Sequence, residues 1–516
     1  MKIPALRGLN ARQKRVSLWL KQKWGAGLRF TATPIQMIRQ AVILAAGNGS
    51  RIQRFQGDIP KPLRKLGGLT LIKRAILSAK QAGITDFVVV VGYRAESIIR
   101  SLSEDLSLGV RLQFVVNPDY HRSNGLSLLS AKSCVQGPFL LMMADHVFDF
   151  KALEQILQQT LDSEEVRVGI DRKIDEVFDL ADATKVKIKE DQVLELGKTL
   201  SDYQAIDMGV FLCSEKVFEV FEQEFQKKGD VSLSEGISLL ALQNKVGFCD
   251  LSSYFWQDVD TPETLDHAEK YLFTTLKKPM DGWVSQHINR RISFLITRLF
   301  LKTHFSANHV TGLVTLIGIL SAYFVSTGKY FEVAVGGVLF NLASILDGCD
   351  GELAKLKMSS SKLGEWLDTC SDNLTYLFFF AGTVIGISRQ GKLPYLAFES
   401  VLLFGGLAFT LTLFVCYLIR FTQSGSFVTL QKDLSTPQTL KKRNPFFSAL
   451  TKIQFMMKRD FFALLFMSLA LFNQLPWILH LSTLGANLTW MVILFYKREI
   501  FKFQPAALLI KTPSVD

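Results

Sequence analysis

The 516-residue chain is predicted to join an α/β Rossmann-like domain to an all-α polytopic membrane domain with about six transmembrane helices. Three observations carry that prediction. Up to about Lys278, short continuously apolar segments alternate with helix-patterned ones, as in a sheet covered by helices on both faces. Beyond Val310 the apolar runs lengthen enough to cross a bilayer. Each half also holds one cluster suited to phosphates: AVILAAGNGSRIQRF…IPKPL from Ala41 to Leu63, and DGCDGELAKLKMSSSKLGEWLDTCSD from Asp347 to Asp372.

Taken in order, residues 1–38 form a basic leader; the first 40 residues hold nine Lys or Arg and no acid. RQKRVSLWLKQKW sets Val16, Leu20 and Trp24 along one side of a helix that suits an anionic membrane surface, and an unstructured basic leader is the alternative. Residues 39–274 read as one α/β domain. Ala41–Leu44, Phe87–Val91, Leu112–Val116 and Phe139–Met143 are its apolar strands, in a largely parallel sheet. Leu71–Gln81 has helical spacing, with Leu71, Ala75 and Ala79 four apart. Pro262 in Asp260-Thr-Pro-Glu belongs in the first turn of a helix.

Residues 275–309 are expected to be an amphipathic juxtamembrane connector with Asn289, Arg290, Arg291 and Arg298 at headgroup level. Within the membrane domain, residues 310–500, the expected spans are 310–327, 331–348, 373–388, 397–420, 461–479 and 482–497, followed by a tail from 501 to 516. The second span ends in the acidic motif and the third begins just beyond it. Lys432, Lys441, Lys442, Arg443, Lys452, Lys458 and Arg459 follow the fourth span, and Lys497 and Arg498 follow the sixth. The positive-inside rule then places the motif, the α/β domain and both termini on the cytoplasmic side of a plasma or inner membrane. These basic residues beside spans also account for much of the net charge of +12, so nucleic acid is not an expected partner. The six cysteines are scattered without a CxxC pair, which implies neither a thiolate zinc site nor a disulfide framework.

The first motif is a strand followed by a tight Gly-rich turn. Gly47 and Gly49 let backbone N–H groups approach an anion, and Arg51 and Lys61 add cations for a triphosphate. The pattern is not GxGxxG and lacks the GKS or GKT ending of a P-loop, so NAD binding and ATP hydrolysis are disfavoured. Asp145 ends the apolar strand FLLMMAD, where a carboxylate faces the ligand crevice of a parallel sheet or else caps the strand. Asp258 and Asp260 in WQDVDTPE provide a second carboxylate, and one Asp from each segment suits Mg²⁺ or Mn²⁺ on a nucleotide.

LAAGNGSR…PKPL…MADH…WQDVDTPE resembles the sugar-phosphate nucleotidyltransferases. NPDYHRSNGLSLLSA from Asn117, DATKVKI from Asp182 and LGKTLSDYQAIDMGVF from Leu196 bring it closer to the inositol-1-phosphate cytidylyltransferases, over roughly residues 40–272. The resemblance implies that Ala45, Gly47, Gly49, Arg51 and Lys61 hold the nucleotide, with Arg51 and Lys61 acting on its phosphates. It implies that Asp145 and Asp258 or Asp260 hold the metal, with Asp258 preferred, and that Asn124, Lys185 and Lys198 contact the acceptor phosphate substrate. CTP would be the nucleotide and inositol 1-phosphate or a similar polyol phosphate the attacking substrate.

In the second motif Asp347 and Asp350 are three apart and Asp368 and Asp372 four apart, so each pair shares a helix face. Four carboxylates converging beside a membrane repel one another, and divalent ions relieve that while gripping a diphosphate. The array DxxDGxxAKx8GxxxDxxxD resembles the CDP-alcohol phosphotransferase signature, with Lys355 where Arg is usual. Over about residues 281–500 the resemblance implies Asp347, Asp350 and Asp368 as Mg²⁺ or Mn²⁺ ligands. Asp372 would share in metal binding and take the acceptor proton, Gly351, Ala354, Lys355 and Gly364 would lie against the nucleotide, and the protein would be a homodimer. The fusion resembles bifunctional enzymes that make CDP-inositol and transfer phosphoinositol to a second inositol phosphate. The composition, 21% charged, runs against that of heat-adapted proteins that use such solutes, which keeps a lipid hydroxyl (diacylglycerol or ceramide) in view as acceptor. A chain with only one active domain is the third reading.

Overall fold

The computed structural model describes residues 38–49, 59–161, 163–277, 282–391, 393–421 and 459–496. The leader before Ile38, Arg51, the basic loop before Arg459, and Lys497 and Arg498 lie outside the described residues.

The α/β domain runs β1 (Gln40–Ala45), β2 (Lys65–Leu66), β3 (Leu69–Thr70), α1 (Leu71–Gln81), β4 (Asp86–Val91), α2 (Ala95–Ser103), β5 (Arg111–Val116), α3 (Asn124–Ser130), β6 (Phe139–Met143), β7 (His146–Phe148), α4 (Phe150–Leu157) and β8 (Val166–Asp171). It continues with β9 (Lys185–Lys189), β10 (Gln192–Gly197), β11 (Ala205–Cys213), α5 (Val217–Lys228), α6 (Leu233–Ala241), β12 (Val246–Asp250), β13 (Trp256–Asp258) and α7 (Pro262–Thr275). The nine-stranded sheet has the order β10-β9-β11-β6-β1-β4-β5, with β8 on β11 and β12 on β8. Val42, Leu44, Val88 and Val90 pack into one core, while Ala41, Ile43, Val89 and Val91 pack into the other. Successive strand residues face opposite sides, so burial of both faces is what makes β1 and β4 continuously apolar.

The expectation of a largely parallel sheet holds for β6-β1-β4-β5 but not for the other half, where β11 runs antiparallel to β6, β8 and β9. There KVKIK at Lys185–Lys189 alternates polar and apolar residues and turns tightly, through Glu190 at φ 54°, into β10. That is the pattern of a hairpin with one wet face. Pro262 stands at the start of α7, where the Thr261 and Thr264 side chains form a reciprocal cap.

The C-terminal domain is all-α. Its elements are α8 (Arg290–Leu301), preceded by one π-turn at Ser285–Asn289, then α9 (Ala307–Ser326), α10 (Tyr330–Leu356), α11 (Lys362–Gln390), α12 (Leu396–Phe421), α13 (Arg459–Leu471) and α14 (Leu475–Tyr496). Among the described residues four helices are long and apolar enough to cross a membrane: α9, α10, α11 and α12. Against an expectation of about six, these four are what the described residues show. The fifth expected span, 461–479, is broken: α13 has 13 residues, short of the roughly 20 a straight crossing needs. Asn473 takes a left-handed φ of 54°, and the chain restarts as α14 with Pro476 in its first turn. The second of the four helices ends inside the acidic motif, as expected, but the third begins within the motif and not beyond it. α10 continues through Asp347 and Asp350 to Leu356, and α11 begins before Asp368.

Close packing holds α11 on α9. Gly382 and Gly386 lie where a Cβ would come within 2.4 Å of the Ala322 and Val325 carbonyl oxygens. Gly382→Ala is expected to cost about 1–3 kcal/mol by overpacking, read as a lowered thermal midpoint in detergent. Deeper in the bundle Phe340 stacks on Phe379 at 3.9 Å, with Phe466 of α13 against both.

In the connector, Asn289 is buried and Arg290 turns inward onto α10. Arg290 Nη1 donates to Glu352 Oε1 at 2.5 Å, joined by Ser293 and Thr297 hydroxyls at 2.7 Å each. Glu352 is 2% exposed on α10, and a buried carboxylate must recruit donors, which α8 supplies. The two domains also touch. Arg74 of α1, fully buried, donates through Nη2 to the Leu66 carbonyl at 2.8 Å and to the Leu356 carbonyl at 2.7 Å, capping the end of the motif helix.

Candidate active sites

The first site is a cleft of about 380 Å³ at the carboxyl ends of β1 and β6. Ala45, Gly47, Gly49, Lys61, Asn124 and Lys198 line it, as do Asp145, Asp258 and Asp260. Gly49 has φ 60°, and a Cβ there would strike the Lys61 side chain at 2.7 Å, so the loop and Lys61 fit only with glycine. Lys61, in a short 3-10 turn between Pro60 and Pro62, is 5% exposed. Its Nζ is 2.5 Å from Asp145 Oδ2, 3.3 Å from Asp258 Oδ1 and in contact with Asp260 Oδ1.

Burial opposes the charge on Lys61, but Asp145, Asp258 and Asp260 outweigh it and raise the ammonium above the ordinary lysine range. Burial likewise opposes the Asp145 charge, and Lys61 with His146 overcomes it, holding that carboxyl well below the usual range. The ammonium shows what these three side chains are arranged to receive: a compact cation in a hard-oxygen setting. That donor set fits Mg²⁺ or Mn²⁺, with Asp145, Asp258 and Asp260 as the residues that would hold it.

The remaining expected residues are dispersed. Asn124 Oδ1 accepts from Leu233 N at 2.8 Å, pinning α6 beside the cleft. Lys198 reaches the cleft and pairs with Asp182 at 2.9 Å. Lys185 does not reach it. Its Nζ donates to the Lys198 carbonyl at 2.8 Å and the Ala181 carbonyl at 3.4 Å, so it braces the segment that carries Lys198. Arg51 lies outside the described residues.

Two cleft residues were not singled out from sequence. Asp182 lies with Asp258 and Asp260 in a set whose oxygens fall within 4.8 Å of one another. His146 forms a similar set with Asp145 and Asp258. Burial would lower the His146 imidazole, yet Asp258 and Asp145 lift it to about 9. Adjacency to Asp145 in MADH was the available signal; which way the imidazole turned was not visible.

At the second site the side-chain oxygens of Asp347, Asp350 and Asp368 lie within 4.8 Å of one another. Asp350 is anchored by Thr311 Oγ1, which donates to Oδ2 at 2.7 Å, and by Gly351 N, which donates to Oδ1 at 2.5 Å. Three carboxylates at that spacing suit a shared divalent ion, with these three residues as holders. Asp372 adjoins the trio through Asp347 and is bound by Arg459, whose Nη1 is also 2.8 Å from Asp347 Oδ2. Arg459 had been grouped with the basic loop. It instead opens α13 and turns into the acidic cluster, with its guanidinium 5.5 Å from the Tyr376 ring centroid. Gly351, Ala354 and Lys355 lie on the last turns of α10, and Gly364 lies on the first turn of α11, at the same mouth. No side chain lies within 4 Å of a Cβ placed at Gly351, which leaves room against that wall.

A family model for the MobA-like NTP transferase domain matches residues 41–178, and one for CDP-alcohol phosphatidyltransferase matches residues 305–494. Fold and sites thus define a two-domain transferase: a CTP-dependent nucleotidyltransferase domain fused to a membrane-embedded CDP-alcohol phosphotransferase domain. The bifunctional IPC transferase and DIPP synthase of Aquifex aeolicus is 32% identical over 371 residues, covering 72% of this chain and 82% of that protein. Those of Thermococcus kodakarensis and Rubrobacter xylanophilus are each 35% identical, covering 64% and 68% of this chain and 72% and 78% of theirs. The chain belongs to this family of bifunctional IPC transferases and DIPP synthases.

Proposed function

We propose that the α/β domain joins CTP to inositol 1-phosphate, or a closely similar polyol phosphate, and that the membrane domain transfers the resulting phosphoinositol to a lipid hydroxyl. In the first step a phosphate oxygen of the polyol phosphate attacks the α-phosphorus of CTP, and pyrophosphate leaves. Lys61 and Arg51 bind the phosphates, and Lys198 and Asn124 orient the polyol phosphate. Asp145 and Asp258 would hold a divalent ion, which would supply charge neutralisation at the α-phosphate. In the second step Asp372 takes the proton of the acceptor hydroxyl, which attacks the β-phosphorus of the CDP-alcohol, and CMP leaves. Asp347, Asp350 and Asp368 would hold a divalent ion, which would supply charge neutralisation to the diphosphate, and Gly351, Ala354, Lys355 and Gly364 lie against the nucleotide.

The observation that carries the pairing is chemical. The product of the first cleft, a CDP-alcohol, is what the second cluster is built to cleave, and both stand in one chain. The lipid acceptor is supported by what borders the second site. Leu363, Trp366 and Leu367, all substantially exposed, give the first turns of α11, the helix that also carries Asp368, an apolar surface suited to acyl chains. The name DIPP synthase carried by the relatives favours a soluble inositol phosphate acceptor as the second reading.

The reading extends to a homodimer through the membrane domain and to a cytoplasmic α/β domain, with domain limits at 39–274 and 310–500. Proteoliposomes with and without diacylglycerol or ceramide, given CTP and labelled inositol 1-phosphate, discriminate the acceptors. Label is expected in the solvent-extractable lipid fraction. Label confined to a water-soluble phosphodiester with lipid present would establish the second reading instead.

A further inference from the structure

The fold builds a slot for one imidazole beside the first acid cluster. β7 pairs antiparallel with β13, and the register sets His146 opposite Asp258, one residue after Asp145. His146 Nδ1 lies 2.9 Å from Asp145 Oδ1 and 3.7 Å from Asp258 Oδ1. The ring stacks beside Phe148 and Trp256, which face each other across the two strands, at centroid distances of 5.9 and 6.2 Å. Its far edge meets β11 where that strand loses register between Asp207 and Phe211. Within this irregularity Gly209 takes φ 74°, and a Cβ there would lie 2.6 Å from both Cδ2 and Nε2 of His146. Asp207 Oδ1 holds the kink by accepting from Gly209 N at 2.8 Å. Bulges of this kind re-aim groups beside active sites. Here the interrupted strand, the glycine and two aromatic rings all serve the position of His146.

We propose that His146 Nδ1 is a third protein ligand, with Asp145 and Asp258, to the divalent ion of the nucleotidyl-transfer site, and that it makes this site favour Mn²⁺ over Mg²⁺. The inference rests on the proposed role of those two aspartates. Neighbouring ligand atoms on a six-coordinate ion with bonds of about 2.0–2.2 Å stand roughly 3 Å apart, so separations of 2.9 and 3.7 Å close with small side-chain rotations. Mg²⁺ keeps oxygen ligands and waters, whereas an imidazole nitrogen shifts preference toward later, softer ions in the divalent series. The membrane site offers only carboxylates in its trio and gains no such preference.

The test uses the full chain in detergent with Asp350→Asn to weaken ion binding at the membrane site. It is loaded with one equivalent of Mn²⁺ and measured by pulsed electron paramagnetic resonance for ¹⁴N coupling. A directly bonded imidazole nitrogen is expected, disappearing in His146→Gln while Mn²⁺ remains bound. The ratio of Mn²⁺ to Mg²⁺ affinity, from competition titration, should fall about tenfold or more in that variant. Mn²⁺ bound at a site that Asp145→Asn weakens, but without ¹⁴N coupling, would overturn the His146 assignment and leave the carboxylate site standing. Mn²⁺ binding indifferent to Asp145→Asn would overturn the underlying reading as well. The spectrum of the protein with His146 intact decides the ligand question even if the variant fails to fold.

Discussion

Asp350→Asn is expected to reduce CMP release from supplied CDP-inositol by about 10²–10³-fold, equivalent to several kcal/mol of lost ion-borne charge stabilisation. CTP-dependent pyrophosphate release should stay within about twofold, as expected for sites with no shared partner. Asp350 is 6% exposed and the most buried of its trio. Its two oxygens are oriented by Thr311 and the Gly351 amide, so the side chain has little freedom to be replaced by a neighbour or by water. Asparagine keeps the shape and lets Thr311 retain an acceptor, yet it removes the charge and halves the oxygens. Two radiolabel assays on one preparation, one for each half-reaction, check this. Equal loss in both assays would point to damage along α10 and its Arg74 contact instead. Unimpaired CMP release would remove the trio from the mechanism.

Lys61→Met should act at the other site, with two effects of opposite sign. CTP-dependent pyrophosphate release should fall about 10²–10³-fold, the usual consequence of removing a positioned charge from the transferring phosphate. Divalent-ion binding without nucleotide should tighten. In the ion-free chain the Lys61 ammonium already engages Asp145, Asp258 and Asp260, so it competes with the ion for the same oxygens. Methionine fills the buried stem without the charge and leaves the carboxylates to the ion. Calorimetric Mn²⁺ titration of the variant beside the native chain reads the second effect. Weaker ion binding in the variant would mean that Lys61 organises the acids for the ion and does not contend with it.

Residue type and spacing made much of this chain legible. A continuously apolar strand such as Phe87–Val91 must be buried on both faces, and it is. Leu71–Gln81 carries its apolar groups at helical spacing and folds over that span. The acids of DxxDG and GxxxDxxxD project from two successive helices into one cluster, because i+3 and i+4 spacing admits only one face. Less legible was the antiparallel half of the sheet, where KVKIK shows period two but not its partner. The α13–α14 break was also hidden, since Asn473 and Pro476 sit in a run apolar enough to read as continuous.

Local pattern alone therefore determined that this chain holds a nucleotide-type loop, a set of carboxylates able to take divalent ions, and helices for a bilayer. Backbone periodicity and charge repulsion act over a few residues and need no fold to be read. Which distant groups join those sites was decided only by the tertiary structure. Arg459 reaches Asp347 and Asp372 from more than 80 positions away, Glu352 turns Arg290 inward, and a kink at Gly209 sets the ring of His146 beside Asp258. Those pairings depend on which buried charge lacks a counterion and which strand yields space, and both are properties of the packed chain.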